Sequence, residues 1–270
     1  MVFAGNCHEA TLTNLFQRTS AIADDWSISW FDPGAKGEAR DRQLDDVRRC
    51  DVLIKQDIAN VREHDAWALL RPNVTEFRIP FYYYGALWPF DAWQNGPDPA
   101  SGPDLPANQK FAYRDFLLGQ FRSRFPDPEE RFRHYRDLDV PVAGVKDIDT
   151  YAAYEERRLH LVDRLTGCTS GAFILENARK RRLFHTVTHP TLEFSKHQCE
   201  DIFRMLGFKQ TAADINYRSD DLAYYQVPLH PAVIRKLGVA WADDDTTYIF
   251  WRTRHLTWES YVRGYIEMYG

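Results

Sequence analysis

Met1-Val-Phe-Ala-Gly5-Asn-Cys-His8 is the stretch on which the fold turns. Val2 to Ala4 is a short apolar run, Gly5-Asn6-Cys7-His8 interrupts it, and a helix-like segment from Glu9 to Arg18 follows at once. An apolar run, a tight turn and a helix start read as a buried strand feeding a covering helix. Gly5 suits the turn because it lacks the Cβ that restricts other residues. Asn6, Cys7 and His8 then stand at the carboxyl end of a strand, where open α/β sheets bind ligands. The N–H groups and dipole of the following helix favour an anion or a thiolate there. A cysteine buried in an ordinary strand-helix turn is the competing reading, and this stretch alone leaves both open.

Working outward, Trp26-Ser-Ile-Ser-Trp-Phe31 alternates like a strand and ends at Asp32-Pro33-Gly34. Glu38 to Arg49 is a polar helix, and Asp51-Val-Leu-Ile-Lys-Gln-Asp57 is another buried strand. Thr75 to Pro80 is a fourth. Strands and helices alternating in this way predict a parallel sheet with covering helices. The expected class is α/β, helix-rich, with a Rossmann- or SGNH-like parallel sheet core and a helical insertion. Parallel neighbours put their carboxyl ends on one edge, so Gln56 and Asp57 would face the same crevice as Gly5-Asn6-Cys7. The Gln56 amide both donates and accepts, which suits positioning of a substrate or an oxyanion. Capping of the next turn is the plainer role for both.

Phe81 to Trp93 is rich in aromatics, as a core segment or a pocket wall, and Gln94 to Pro106 reads as a loop. Asn108 to Gly167 is mainly helical: Phe111–Phe121, Glu129–Leu138, and a third helix that Asp149 can cap and Gly167 stops. The organisation expected is a sheet region over 1–107, a helical insertion over 108–170 and a part completing the core over 171–270, or a single domain over 1–270.

The second informative stretch is Ala178-Arg-Lys-Arg-Arg-Leu-Phe-His-Thr-Val-Thr-His-Pro190. Its basic run, with Arg179, Lys180 and Arg182, is either a solvated face or an anchor for the phosphates of a cofactor. Leu183 to Thr188 alternates like a strand. Pro190 suits the first turn of a helix over Thr191–Leu206, whose Leu192, Ser195, Cys199, Ile202 and Leu206 share one face. His189, presented just before that helix, can serve as a general base. A surface histidine in a loop is the competing reading.

Of 270 residues, 44% are hydrophobic, enough for a sizeable core, and the net charge of −5 gives no general pull toward nucleic acid. The cysteines Cys7, Cys50, Cys168 and Cys199 show no metal or disulfide spacing, and no metal is expected. Asp243-Asp244-Asp245 reads as a solvated turn. No apolar stretch reaches the length of a membrane span. The first strand begins at Met1 and leaves no room for a leader, so a reducing cytoplasm is the expected location.

Taken together, Gly5-Asn6-Cys7 after the first strand, Asp51-Val-Leu-Ile-Lys-Gln56, Leu183-Phe184 through His189-Pro190 with its helix, and Leu256-Thr-Trp-Glu-Ser-Tyr-Val-Arg-Gly-Tyr265 resemble the WcbI-like polysaccharide-biosynthesis acetyltransferases. Their order and spacing carry the resemblance over nearly the whole chain. It implies binding of coenzyme A and transfer of an acetyl group from acetyl-CoA to a sugar hydroxyl of a capsular or extracellular polysaccharide precursor. A homodimer is among the expected assemblies. The family pattern is Gly-Asn-Cys-Gln, and His8 replaces its last residue, placing a second imidazole next to Cys7 in sequence.

Acyl transfer needs a nucleophile or activated acceptor, a base and donors for the oxyanion. In one route His189 or His8 deprotonates the sugar hydroxyl, which attacks acetyl-CoA, while N–H groups near Asn6 and Cys7 hold the oxyanion. In the other, Cys7 carries the acetyl group as a thioester. The turn and the late histidine also resemble SGNH-type esterases or deacetylases, but Thr186-Val-Thr-His189 lacks their aspartate. A non-catalytic module binding CoA, a nucleotide or a glycan is the third reading.

Overall fold

The structure, a computed structural model, describes residues 1–91, 106, 109–141 and 147–269. The expected Gln94–Pro106 loop lies outside them, Pro106 apart. In chain order the elements are β1 (Val2–Ala4), α1 (Cys7–Gln17), α2 (Ser20–Ala23), β2 (Ser29–Phe31), α3 (Gly37–Arg49), β3 (Val52–Gln56), α4 (Ala59–Arg62), β4 (Thr75–Ile79), α5 (Phe116–Arg124), α6 (Pro128–Asp137), α7 (Ile148–Thr166), α8 (Ser170–Asn177), α9 (Leu192–Met205), α10 (Pro231–Leu237), β5 (Thr247–Phe250), β6 (Arg254–Thr257) and α11 (Trp258–Tyr269). The chain is therefore α/β and helix-rich. It divides into two compact units, one of Met1–Tyr82, His160–Phe173 and Pro190–Asp221, the other of Tyr83–Leu159, Ile174–His189 and Leu222–Gly270. Helices α7 and α8 contribute residues to both.

The first unit holds a four-stranded parallel sheet in the order β2-β1-β3-β4. Phe3 pairs with Ile54 and Val2 with Leu53, so side chains alternate between two buried faces. Phe3, Val52 and Ile54 join Leu12, Phe16, Ile202 and Phe203 of α1 and α9 on one face. Val2, Ala4 and Leu53 join Val47 of α3 and Val61 of α4 on the other. Burial on both faces is why these strands read as near-continuous apolar runs. The Phe16 ring lies 4.8 Å from Phe3 and 4.7 Å from Phe203. Each fully buried side chain of this kind contributes about 1.5–3 kcal/mol.

Two helix starts in this unit differ from expectation. Thr191 caps α9, its hydroxyl accepting the Phe194 N–H at 3.4 Å, so Pro190 precedes the cap instead of occupying the first turn. Helix α8 lies where the sequence pattern predicts no element. Gly167, at φ +72°, ends α7 as predicted. The chain then turns straight into α8, whose first N–H groups are taken by carboxylates of the neighbouring helices: Asp163 of α7 accepts from Gly171 and Ala172, and Asp201 of α9 from Thr169 and Ser170.

The second unit packs α5, α6 and α11 with the antiparallel hairpin β5–β6 around an aromatic core that includes Phe111, Phe121, Phe132, Tyr225, Phe250 and Trp258. Helix α5 begins later than its apolar spacing predicts, because Asp115 caps it by accepting the Leu118 N–H at 2.8 Å. Asp147, not Asp149, caps α7, accepting from the Asp149 and Thr150 N–H groups at 3.1 and 3.3 Å. Leu183–Thr188 is a turn and not a strand. The Thr186 hydroxyl accepts the N–H groups of Thr188 and His189 at 3.3 and 3.1 Å, and the His185 N–H reaches the His189 carbonyl at 2.8 Å. A local side-chain acceptor has outcompeted the ladder that the alternation promised.

Candidate functional site

The sheet grows in both directions from β1, so the chain reverses between β1 and β3, and the carboxyl ends of those two strands flank the place where open α/β sheets take ligands. Gly5 ends β1 and Gln56 ends β3. Asn6 is the N-cap of α1: its Oδ1 accepts the His8 N–H at 3.0 Å, and its carbonyl accepts the Glu9 N–H at 2.9 Å. The Asn6 N–H donates to Gln56 Oε1 at 3.2 Å, so the Gln56 amide holds the turn itself. These bonds engage the Asn6 and His8 N–H groups.

Gly5 owes its place to space. It is not among the residues of positive φ. A Cβ there would lie 2.0 Å from Cγ of Glu9 and 2.8 and 2.9 Å from Oε1 and Cβ of Gln56. The Trp30 indole N–H holds the Gly5 carbonyl at 3.0 Å.

Cys7, the first residue of α1, presents an exposed thiol. Crowding by the surrounding chain nevertheless pushes its pKa up, ahead of the opposing pull of the Cys7 and His8 N–H groups, with the negative charges of Asp32 and Glu9 adding to the rise. At this helix N-terminus desolvation, the largest influence, thus works against the thiolate. His8 is buried, its ring 6.5 Å from that of Phe194 on α9. Asp57 is exposed and paired with Arg62 at 2.6 Å. Pro190 is buried in the same unit.

His189, Arg179, Lys180 and Arg182 belong to the second unit. The His189 ring lies 6.0 Å edge-on to Tyr113 and 6.0 Å from Tyr224. Burial, then the nearby His185, lowers its pKa to about 4, so it is the neutral, proton-accepting imidazole at pH 7. Arg179 and Lys180 are exposed. Arg182 is held apart from them: it donates to Gln226 Oε1 at 2.7 Å and lies over the Trp241 and Tyr248 rings at 4.8 and 5.0 Å.

The second unit also encloses a cavity that contains none of the predicted site residues, walled by Trp88, Phe90, Tyr135, Trp258 and Tyr265 around the Asp115 carboxyl. Asp115 accepts from the Tyr135 hydroxyl, and burial raises its pKa to about 7. Its lining comes from segments far apart in sequence, which leaves no local signature. A carboxyl whose pKa rises on folding favours the folded state while protonated, so stability falls as pH climbs from about 4 through about 7. The rise from 3.8 to about 7 corresponds to on the order of 4 kcal/mol. Asp115→Asn, which keeps a capping oxygen, is expected to remove that component. Urea unfolding of both proteins between pH 4 and 8 checks it, and parallel pH profiles would refute it.

Among the described residues, no group of three His, Cys, Asp or Glu side chains is arranged to hold a metal ion, and no helix is long and apolar enough to cross a membrane.

The family model described as polysaccharide biosynthesis enzyme WcbI matches residues 1–211. The chain belongs to the WcbI family of polysaccharide biosynthesis enzymes. A solved structure of WcbI itself aligns with a TM-score of 0.72 at 19% identity, covering 99% of this chain and 88% of that one. That protein is described as a novel polysaccharide biosynthesis enzyme, in its native form without a disulfide bond between coenzyme A and one of its cysteines. No curated protein matches the chain. The family match covers the Cys7 turn, Gln56 and the His189-Pro190 segment, and stops before α10 and α11.

Proposed function

We infer that this WcbI-family chain transfers an acetyl group from acetyl-CoA to a hydroxyl of a sugar in polysaccharide biosynthesis, with the Cys7 turn cradling the thioester. The observation that carries the reading is an exposed cysteine at a helix N-terminus, flanked by Asn6 and Gln56, at the strand-order reversal of a parallel sheet. The family gives it context, and the neighbour's description sets coenzyme A beside a cysteine. A raised thiol pKa favours direct transfer, in which the sugar hydroxyl attacks the acetyl carbonyl, its proton passes to a base and the CoA thiolate departs. His189, neutral at pH 7, is the proposed base. Exposed Arg179 and Lys180 are the proposed partners for CoA phosphates. The dipole of α1 favours the negative charge that develops on the carbonyl oxygen.

Thermal unfolding with CoA and acetyl-CoA tests the reading. A ligand at a hundred times its dissociation constant adds about 2.7 kcal/mol, and a rise in Tm of several degrees is expected; no shift with either compound would sink the proposal. Direct transfer further predicts that Cys7→Ala keeps kcat within about tenfold, since a removed thiol loses contacts and not a bond-forming step. A far larger loss would assign the acetyl group to Cys7 as a covalent thioester.

A further inference from the structure

Behind the Cys7 turn the first unit buries several polar side chains. Glu9, Gln56 and Ser195 are 0% exposed and Gln198 is 1% exposed. Glu9 sits in the first turn of α1, where a capping box would send its carboxyl back to the Asn6 N–H. Gln56 occupies that N–H instead, and the Glu9 carboxyl turns inward. The position a Gly5 Cβ would take lies within 2.9 Å of Glu9 Cγ and of the Gln56 side chain, so those two meet at the end of β1. Gln198 Nε2 donates to the Pro80 carbonyl at 3.4 Å, just beyond the Ile79 that pairs with Gln56. Ser195 and Gln198 are three residues apart on α9, which packs against α1. Glu9 and Gln56 thus meet at the end of β1, Gln198 reaches the chain just beyond β4, and Ser195 lies one helical turn before Gln198 on α9.

Both carboxyl oxygens of Glu9, Gln56 Nε2, Ser195 Oγ and Gln198 Oε1 have no hydrogen-bond partner among the described residues. A buried polar atom of this kind destabilises the fold unless it is bridged. The set is chemically balanced: Gln56 Nε2 and the Ser195 hydroxyl donate, Gln198 Oε1 accepts, and a carboxyl group in its acid form does both. Burial pushes the Glu9 pKa well up, which favours that form. Buried water, with about three hydrogen bonds each, is the species that joins such groups in protein interiors.

We propose that Glu9 is a positioning residue: joined through bound water to Gln56, Ser195 and Gln198, it holds the Gln56 amide with Oε1 toward the Asn6 N–H and so fixes the Cys7 thiol. The proposal rests on the reading of Cys7 as the reactive centre, but its test reads the thiol directly, so a failure of acetyl transfer leaves it standing or falling by itself. The measurement is the rate at which iodoacetamide alkylates Cys7 in the folded protein, followed on the Cys7-containing peptide by mass spectrometry. Glu9→Gln, which preserves hydrogen bonding, is expected to stay within about twofold of wild type. Glu9→Met, of similar length but apolar, is expected to change the rate by about fivefold or more, the equivalent of one ordinary hydrogen bond. Ser195→Ala, a change of one atom that leaves folding intact, is expected to shift the rate in the same direction as Glu9→Met. Equal rates for the Met and Gln variants, or an unchanged rate for Ser195→Ala, would overturn the proposal.

Discussion

Gly5→Ala is expected to lower the unfolding free energy by about 3 kcal/mol or more, the upper range of overpacking changes. The added methyl would stand 2.0 Å from Glu9 Cγ and 2.8 Å from Gln56 Oε1. Neither neighbour can yield easily. Glu9 Cγ is an inner atom of a side chain with no exposed surface, and Gln56 is equally buried at the end of a central strand. The backbone is pinned as well, since the Gly5 N–H donates to the Phe31 carbonyl at 3.1 Å and the Gly5 carbonyl accepts from Trp30. At roughly 2–4 °C per kcal/mol for a chain of this size, the fall in Tm should be about 6–12 °C. Gly34→Ala is the matched control: its Cβ would meet only the Asp32 carboxylate, at 3.3 Å, on the surface, and it should move Tm by a degree or so at most. Similar melts for the two variants would show that the turn relaxes and that β1 tolerates a side chain at its carboxyl end.

That prediction marks where the sequence was informative and where it was not. The central strands β1 and β3 were legible because each is buried along its length and so carries a compact apolar run, and the edge strands β2 and β4 by their alternation and the turn residues after them. The Cys7 turn was legible for the same reason, as the first break in the first run. Its physics was not. Gly5 suggested a special backbone angle, whereas the structure asks only for the absence of a methyl group. Cys7 suggested a thiolate, because a helix start is visible in sequence and desolvation is not. Glu9 carries no sign of burial in the sequence, yet it is fully buried. Thr186 defeated the strand expected over Leu183–Thr188, since an alternating pattern says nothing about which acceptor reaches a backbone N–H first. Helix α8 was missed because its capping groups, Asp163 and Asp201, are supplied by α7 and α9.

Asp201→Ala is expected to be as damaging as the Gly5 change and to reveal itself by its pH dependence. Asp201 is 3% exposed. Its carboxylate accepts the Thr169 N–H at 3.0 Å and hydroxyl at 2.9 Å, the Ser170 N–H at 3.0 Å and hydroxyl at 2.6 Å, and Arg204 at 2.6 Å. Truncation strands two backbone N–H groups at the start of α8 and removes the partner of Arg204. Each buried N–H left without an acceptor costs about 1–3 kcal/mol. Burial by itself would raise the Asp201 pKa, but the donors from Ser170, Thr169 and Arg204 outweigh it and hold the pKa below the ordinary carboxylate value. A carboxyl depressed on folding stabilises the protein above its unfolded pKa of about 3.9 and loses that contribution as pH falls through the folded value. Asp201→Asn, which keeps the shape but not the charge, should therefore be markedly less stable than wild type at pH 7 and approach it below about pH 4. Chemical unfolding of wild type, Asp201→Asn and Asp201→Ala at both pH values decides the matter. A gap between wild type and Asp201→Asn that is the same at both would mean that the helix start needs an acceptor there and draws nothing from its charge.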